Sequence, residues 1–145
     1  MQYHYAIELG GSFTTIFVKN VGFALKEPTM IAVEKYGEDY QACAVGKEAK
    51  DLLWKTNDSV EIFNPISCGV IKNFEYTKAM LEHFLSKVGF KRRRKNALIL
   101  IPCGLSDQDK NQYIRLFDEI GFANVDLIPS VVATAVGCGC NIYCS

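Results

Sequence analysis

Residues Tyr3–Lys19 read YHYAIELGGSFTTIFVK. Tyr3, Tyr5, Ile7 and Leu9 alternate with His4, Ala6, Glu8 and Gly10, the period-2 pattern of a β-strand. Thr14–Val18 is rich in β-branched and aromatic residues and makes a second strand. Between them Gly10-Gly11-Ser12 offers small residues that permit positive φ and a tight hairpin turn. A strand ending in a carboxylate, a Gly/Ser turn and a returning strand can hold a phosphate and its metal. The turn's N–H groups converge on one concavity, and Glu8 reaches a cation through water. Taken by itself the stretch equally fits a plain hairpin, because short Gly motifs match by accident. The segments that follow decide between the two.

Gly22–Leu25 reads as a third strand returning from a turn at Asn20. Past Glu27-Pro28 the character changes. Thr29–Val33 and Gln41–Val45 read as short strands around the turn residues Tyr36-Gly37-Glu38-Asp39. Gly46–Trp54 carries Ala49, Leu52 and Leu53 at helical spacing, and Val60–Phe63 is another brief strand ended by Asn64-Pro65. Residues 27–68 are therefore expected to form a small inserted α+β subdomain, with 1–26 and 69–145 forming the main one.

In the second part of that main unit, α/β alternation resumes. Asn73 is an N-cap with Glu75 in the first turn, Thr77, Leu81, Phe84, Leu85 and Val88 form a stripe, and Gly89 ends the helix. Ala97–Ile101 is a continuous apolar run closed by Pro102, the pattern of a parallel strand covered on both faces. Ser106 caps the next helix, whose stripe is Tyr113, Ile114, Phe117 and Ile120, with Gly121 as its stop. Val125–Ile128 is a further strand, and Pro129 leads into a last helix over Val131–Val136. This order is that of an α/β ribonuclease-H-like fold: a mixed five-stranded sheet, order 3-2-1-4-5, with helices on both faces. The first turn should then open near the C-terminal end of the fourth strand, where such sheets bind ligands.

The chain of 145 residues is one domain by prior, with 16 basic and 16 acidic residues balancing to zero net charge, which argues against a general nucleic-acid binder. Only the run Lys91-Arg92-Arg93-Arg94-Lys95 breaks that balance. No signal peptide and no membrane-spanning apolar run is visible, so a cytoplasmic protein is expected. Of the cysteines, Cys43, Cys68 and Cys103 read as small buried residues. Cys138, Cys140 and Cys144 crowd the C-terminus at a spacing that fits no common zinc motif and read as reduced thiols. His4 and His83 are isolated and read as core or surface residues. A ribonuclease-H-type nuclease would need several carboxylates around two metals, and only Glu8 lies on a suitable strand end.

Several stretches in their order resemble the first domain of the MreB-like bacterial actin homologues, within the actin and heat-shock chaperone ATPase superfamily. They are IELGGSFTTIFVK (Ile7–Lys19), KEPTMIAV (Lys26–Val33), AVGKEAKDLLWKT (Ala44–Thr56), GVIKNFEYTKAMLEHFL (Gly69–Leu85), ALILIPCGLSDQDK (Ala97–Lys110) and LIPSVVATAVGCG (Leu127–Gly139). The resemblance implies a polymer-forming cytoskeletal protein involved in bacterial cell shape, using ATP and Mg²⁺. It places the nucleotide-binding loop at Gly10, Gly11, Ser12, Phe13 and Thr14, with Glu8 as the residue holding Mg²⁺ through water. It also implies self-association into filaments and cell-envelope protein partners; no nucleic acid is expected, because no second basic patch or exposed aromatic platform accompanies Lys91–Lys95.

The match is imperfect where catalysis is concerned. Glu8 stands where the family has aspartate, which lengthens the arm by about 1.5 Å against a metal that demands near-ideal octahedral geometry. Gly11 lacks a hydroxyl that should face the phosphates, Ser12 partly replaces it, and Phe13 stands where the family has a polar amide and is expected to enter the core. The family's water-orienting Glu-Glu-Pro corresponds to Pro129, Ser130 and Val131, none of which serves well as a general base. Asp126 is near in sequence but within the strand. The second phosphate loop and the adenosine pocket belong to a second domain beyond these residues. Weak or absent hydrolysis is the expectation, with no ATPase activity from these residues alone. The alternatives are an active Mg-ATPase when a second domain completes the cleft, or a non-catalytic partner-binding module. Finally, the family's membrane-dipping loop corresponds to Val88, Phe90, Lys91, Arg92, Arg93 and Arg94. An apolar anchor beside cations that each contribute about 1 kcal/mol at an anionic surface implies a peripheral position at the inner face of the membrane. The same residues also fit a solvated basic loop with Phe90 turned inward.

Overall fold

The computed structural model describes residues 2–55, 58–91 and 94–142. The elements run β1 (Tyr5–Leu9), β2 (Phe13–Val18), β3 (Gly22–Pro28), β4 (Ile31–Tyr36), β5 (Asp39–Val45), α1 (Gly46–Leu52), β6 (Val60–Phe63), β7 (Ile66–Ser67), β8 (Val70–Ile71), α2 (Phe74–Lys87), β9 (Asn96–Ile101), α3 (Asp107–Ile120), β10 (Asn124–Pro129) and α4 (Ser130–Gly137). The main sheet has the order β10-β9-β1-β2-β3. Pairing is antiparallel through β1, β2 and β3 and parallel from β1 to β9 to β10. The fourth and fifth strands of the sequence pattern are thus β9 and β10.

Period-2 alternation on β1 sends Tyr5, Ile7 and Leu9 to the face shared with Ala97, Ile99 and Ile101 of β9. Helices α2 and α3 fill that face with Met80, Leu81, Phe84, Leu85, Tyr113, Leu116, Phe117 and Ile120. The stripes differ from expectation by one residue each: Met80 and Leu116 are buried, while Ile114 is exposed. Both caps form, Asn73 Oδ1 accepting from Tyr76 N at 3.0 Å and Ser106 Oγ from Asp109 N at 3.1 Å. Gly121, at φ 112°, ends α3 in the left-handed conformation. The opposite face, carrying Ala6, Glu8 and Leu100, meets Ala133 and Thr134 of α4, a helix with no buried residue.

The stretch from residue 27 to 68 contains a separate three-stranded sheet, β5-β4-β6, and α1. Its Ile31, Val33 and Val45 join the same hydrophobic cluster as β1 and α2, so one core runs through both sheets. Glu27 ties the entry point down: its carboxylate accepts from Lys47 N at 2.9 Å and pairs with Lys87 Nζ at 3.0 Å. The two-stranded ribbon β7–β8 was not legible in the sequence, and it delivers the Cys68-Gly69 turn to the end of β9.

Candidate functional site: a cleft at the carboxyl ends of β1 and β9

The turn between β1 and β2 is built from behind. Gly10 N–H donates to Phe13 O at 2.9 Å and closes it. Thr29 N–H donates to Ser12 O at 2.9 Å and the Thr29 hydroxyl to Gly10 O at 2.7 Å, while Asn64 Nδ2 donates to Gly11 O. The Thr29 proton being committed to Gly10, Thr14 is the donor of the 3.1 Å Thr14–Thr29 bond. The carbonyls of Gly10, Gly11 and Ser12 are therefore all taken by residues at the entry and exit of the inserted stretch. The N–H groups of Gly11 and Ser12 have no acceptor among the described residues. Neither glycine adopts positive φ, which corrects the sequence expectation. Gly10 is required instead by close approach, since a Cβ there would lie 2.6 Å from Phe13 O.

Beside the turn lies a cleft of about 430 Å³ lined by Glu8, Leu9, Gly10, Gly11, Cys68, Gly69, Leu100, Pro102, Cys103, Ser130 and Val131. Glu8 reaches it because β1 sits between β2 and β9 in register Thr15–Glu8–Leu100, on the face opposite Ile7. Ser130, first residue of α4, donates to Ile101 O at 3.2 Å and its hydroxyl lies 3.5 Å from Glu8 Oε1. The segment Pro129–Val131 thus faces the cleft with a hydroxyl and no carboxylate. Asp126 is engaged elsewhere, accepting from the Tyr3 hydroxyl at 2.6 Å.

Of the residues expected here, Glu8, Gly10 and Gly11 line the cleft and Ser12 completes the turn. Thr14 is fully buried and braces the turn through Thr29. Phe13 does not enter the core: it is 44% exposed, with Lys26 Nζ 5.0 Å from the ring centroid. Cys43, Cys68 and Cys103, expected to be buried, are all exposed. Sequence reasoning passed over Asn64, Gly69 and Pro102. Gly69 sits at φ 75°, and a side chain there would overlap Pro102, so only glycine suits the position. Its carbonyl accepts from the buried Tyr113 hydroxyl at 2.8 Å, and burial pushes that phenol up to about 12.

At the opposite end of the sheet, Phe90 packs against Tyr5 and Phe122, at centroid distances of 5.6 and 4.6 Å. Val88 also packs on the core. Phe90 and Val88, the expected membrane anchors, are thus partly buried against the core and partly open at the surface, where Phe90 lines a shallow hollow with Glu82 and Ser86. Lys91 and Arg94 are exposed, whereas Arg92 and Arg93 lie outside the described residues, as does Cys144. No helix among the described residues is long and apolar enough to cross a membrane, and no metal-ligating cluster of three or more His, Cys, Asp or Glu occurs among them.

The family model for the MreB/Mbl protein matches residues 2–145. The chain belongs to the MreB/Mbl family. It is 32% identical over 139 residues to the cell shape-determining protein MreB of Escherichia coli (strain K12), covering 92% of this chain and 40% of that protein. It is 30% identical over 139 residues to the cell shape-determining protein Mbl of Bacillus subtilis (strain 168), covering 94% of this chain and 41% of that one. The chain thus spans about two fifths of the length of the curated relatives it matches. Among solved structures it superposes on MreB5 of Spiroplasma citri bound to ADP with a TM-score of 0.84 at 24% identity, covering 95% of this chain and 41% of that one. The AMPPNP-bound MreB5 of the same organism superposes equally well, at 0.84 and 23% identity. These superpositions show that the MreB/Mbl chain has the fold of the corresponding part of MreB5.

Proposed function

We propose that this MreB/Mbl chain supplies one wall of a nucleotide cleft in a filament-forming, cell-shape-determining actin-like protein. The observation that carries the reading is the hydrogen-bond accounting at Gly10–Ser12. With its carbonyls held from behind by Thr29 and Asn64, the turn offers the Gly11 and Ser12 N–H groups to an anion. The ADP and AMPPNP held by the structural neighbours are consistent with a phosphate there. Glu8, on the cleft wall, is the carboxylate placed to hold Mg²⁺ through water. Hydrolysis is weak, because Ser130 stands where a water-orienting acid is needed and a hydroxyl is a poor general base at neutral pH.

Head-to-tail contacts between copies generate open filaments, and the protein works in the cytoplasm near the inner membrane surface beside cell-envelope partners. With Phe90 turned inward, attraction to anionic lipid falls to exposed cations such as Lys91 and Arg94. Electron microscopy and sedimentation of the full-length gene product, with and without ATP, test the proposal. Filaments that depend on nucleotide are expected. A species that stays monomeric under every condition would refute assembly, and turnover unaffected by Ser130→Glu would refute the account of hydrolysis.

A further inference from the structure

The end of the sheet remote from the nucleotide cleft carries a second hollow, of about 460 Å³, lined by Gln2, His4, Tyr5, Val18, Lys19, Asn20 and Lys95. We propose that it is an anion site that takes a phosphate group, either a membrane lipid headgroup or free phosphate. This goes beyond the nucleotide reading and does not depend on it, since the two sites sit at opposite ends of β1.

Charge supplies the first part of the argument. The chain as a whole is neutral, yet this lining includes two lysines and no carboxylate. Neither Lys19 nor Lys95 forms an ion pair with any described residue. A concave surface lined by one sign of charge, with low-dielectric walls, focuses potential on its contents. The exposed Arg94 immediately precedes Lys95 and adds to the same field.

Preorganisation supplies the second part. His4 is fixed by three hydrogen bonds. Its N–H donates to Asn96 O at 2.9 Å, its carbonyl accepts from Lys19 N at 2.9 Å, and its Nδ1 accepts from Asn96 N at 3.1 Å. Because Nδ1 is an acceptor, the neutral ring carries its proton on Nε2, a donor that no described residue uses. Lys95 is fixed by its carbonyl, which accepts from Ala123 N at 2.8 Å, and Asn20 holds a left-handed turn at φ 65°. Two ammonium groups, an imidazole N–H and two side-chain amides therefore border one hollow on a braced backbone. This is donor chemistry suited to a phosphate oxygen cluster.

The test uses the whole chain, labelled with ¹⁵N and titrated with sodium phosphate against sodium chloride of equal ionic strength. In a parallel arm it is sedimented with phosphatidylcholine vesicles with and without phosphatidylglycerol. Saturable shifts at the His4, Lys19, Asn20 and Asn96 amides are expected with phosphate and not with chloride. Lys19→Gln and Lys95→Gln should each weaken binding about fivefold, whereas Lys50→Gln on α1 should not. Phosphate-dependent shifts with matching loss of vesicle binding assign the site to a lipid headgroup; shifts without vesicle binding assign it to free phosphate. The site is refuted if phosphate moves none of these amides, or if the lysine variants respond like Lys50→Gln. Vesicle binding that survives both pocket substitutions would overturn the lipid-headgroup assignment of the pocket, the exposed Lys91 and Arg94 then carrying the membrane contact.

Discussion

Gly10 and Gly11 stand side by side in the first turn, and a methyl group meets different surroundings at each. At Gly10 it would press on Phe13 O at 2.6 Å, a backbone atom committed to the turn's closing bond; at Gly11 nothing lies within 4 Å. Gly10→Ala should therefore cost about 1–3 kcal/mol in chemical denaturation. Gly11→Ala should stay within about 0.5 kcal/mol, because its backbone lies outside the left-handed region. Equal losses at both positions would contradict the close-approach account. The sequence announced a tight turn here through its glycines, but the reason for Gly10 was not legible, because Phe13 O approaches only once the strands have paired. Thr14 shows the same limit. Its place in the motif suggested a ligand, and its burial against Thr29 arises from the β3–β4 connection, which is remote in sequence.

Helices and strands were legible to the extent that their signals are local. Asn73 and Ser106 cap α2 and α3 because a short polar side chain ahead of an apolar stripe is a local device. Which residue of a stripe is buried depends on the neighbouring element, so Leu116 and not Ile114 faces the core. The ribbon β7–β8 is only two residues per strand and has no period to read. Joints between elements give two predictions. Burial alone would raise the Glu27 carboxyl, but the Lys47 N–H and the Lys87 ammonium outweigh it and hold it below the ordinary carboxylate range. A depressed carboxyl stabilises the fold above its unfolded value, and that stability is lost as pH falls through the folded value. Glu27→Gln should thus be about 1 kcal/mol less stable than wild type at pH 7, with the gap closing in acid. Tyr113 joins α3 to the Cys68-Gly69 turn and has the opposite sign. Its phenol, raised from 10.0 to about 12, contributes fully below pH 10 and loses that contribution between pH 10 and 12. Thermal melts of Tyr113→Phe should show a loss of about 1 kcal/mol at pH 7 from the missing bond to Gly69 O, and a shallower alkaline decline than wild type.

Across the whole molecule, one core joins both sheets, and the cleft opens where the first turn, β9 and α4 converge. Element order was enough to place that opening, since a hairpin followed by parallel strands fixes which strand ends lie together. The packing of Phe90 was not legible, because the same apolar side chain beside cations suits a lipid surface or a core. The rings it meets, Tyr5 and Phe122, lie far away in sequence. Phe90→Ala should accordingly lower stability by about 2 kcal/mol in urea, a loss that a lipid-facing side chain would not show. As the nucleotide site proposed above, the cleft sets a ceiling on affinity. Two N–H groups, Gly11 and Ser12, have no acceptor among the described residues and can meet a phosphate. Charge-assisted hydrogen bonds contribute about 1.5–3 kcal/mol each, so the pair supplies about 3–6 kcal/mol before the cost of association. Binding sites for molecules of nucleotide size normally bury most of the ligand, and this cleft offers one wall for it. The 145-residue chain should therefore bind Mg-ATP with a dissociation constant of about 1 mM or weaker by calorimetry. Micromolar affinity would show that adenosine contacts come from within these residues, at a place other than the one assigned here.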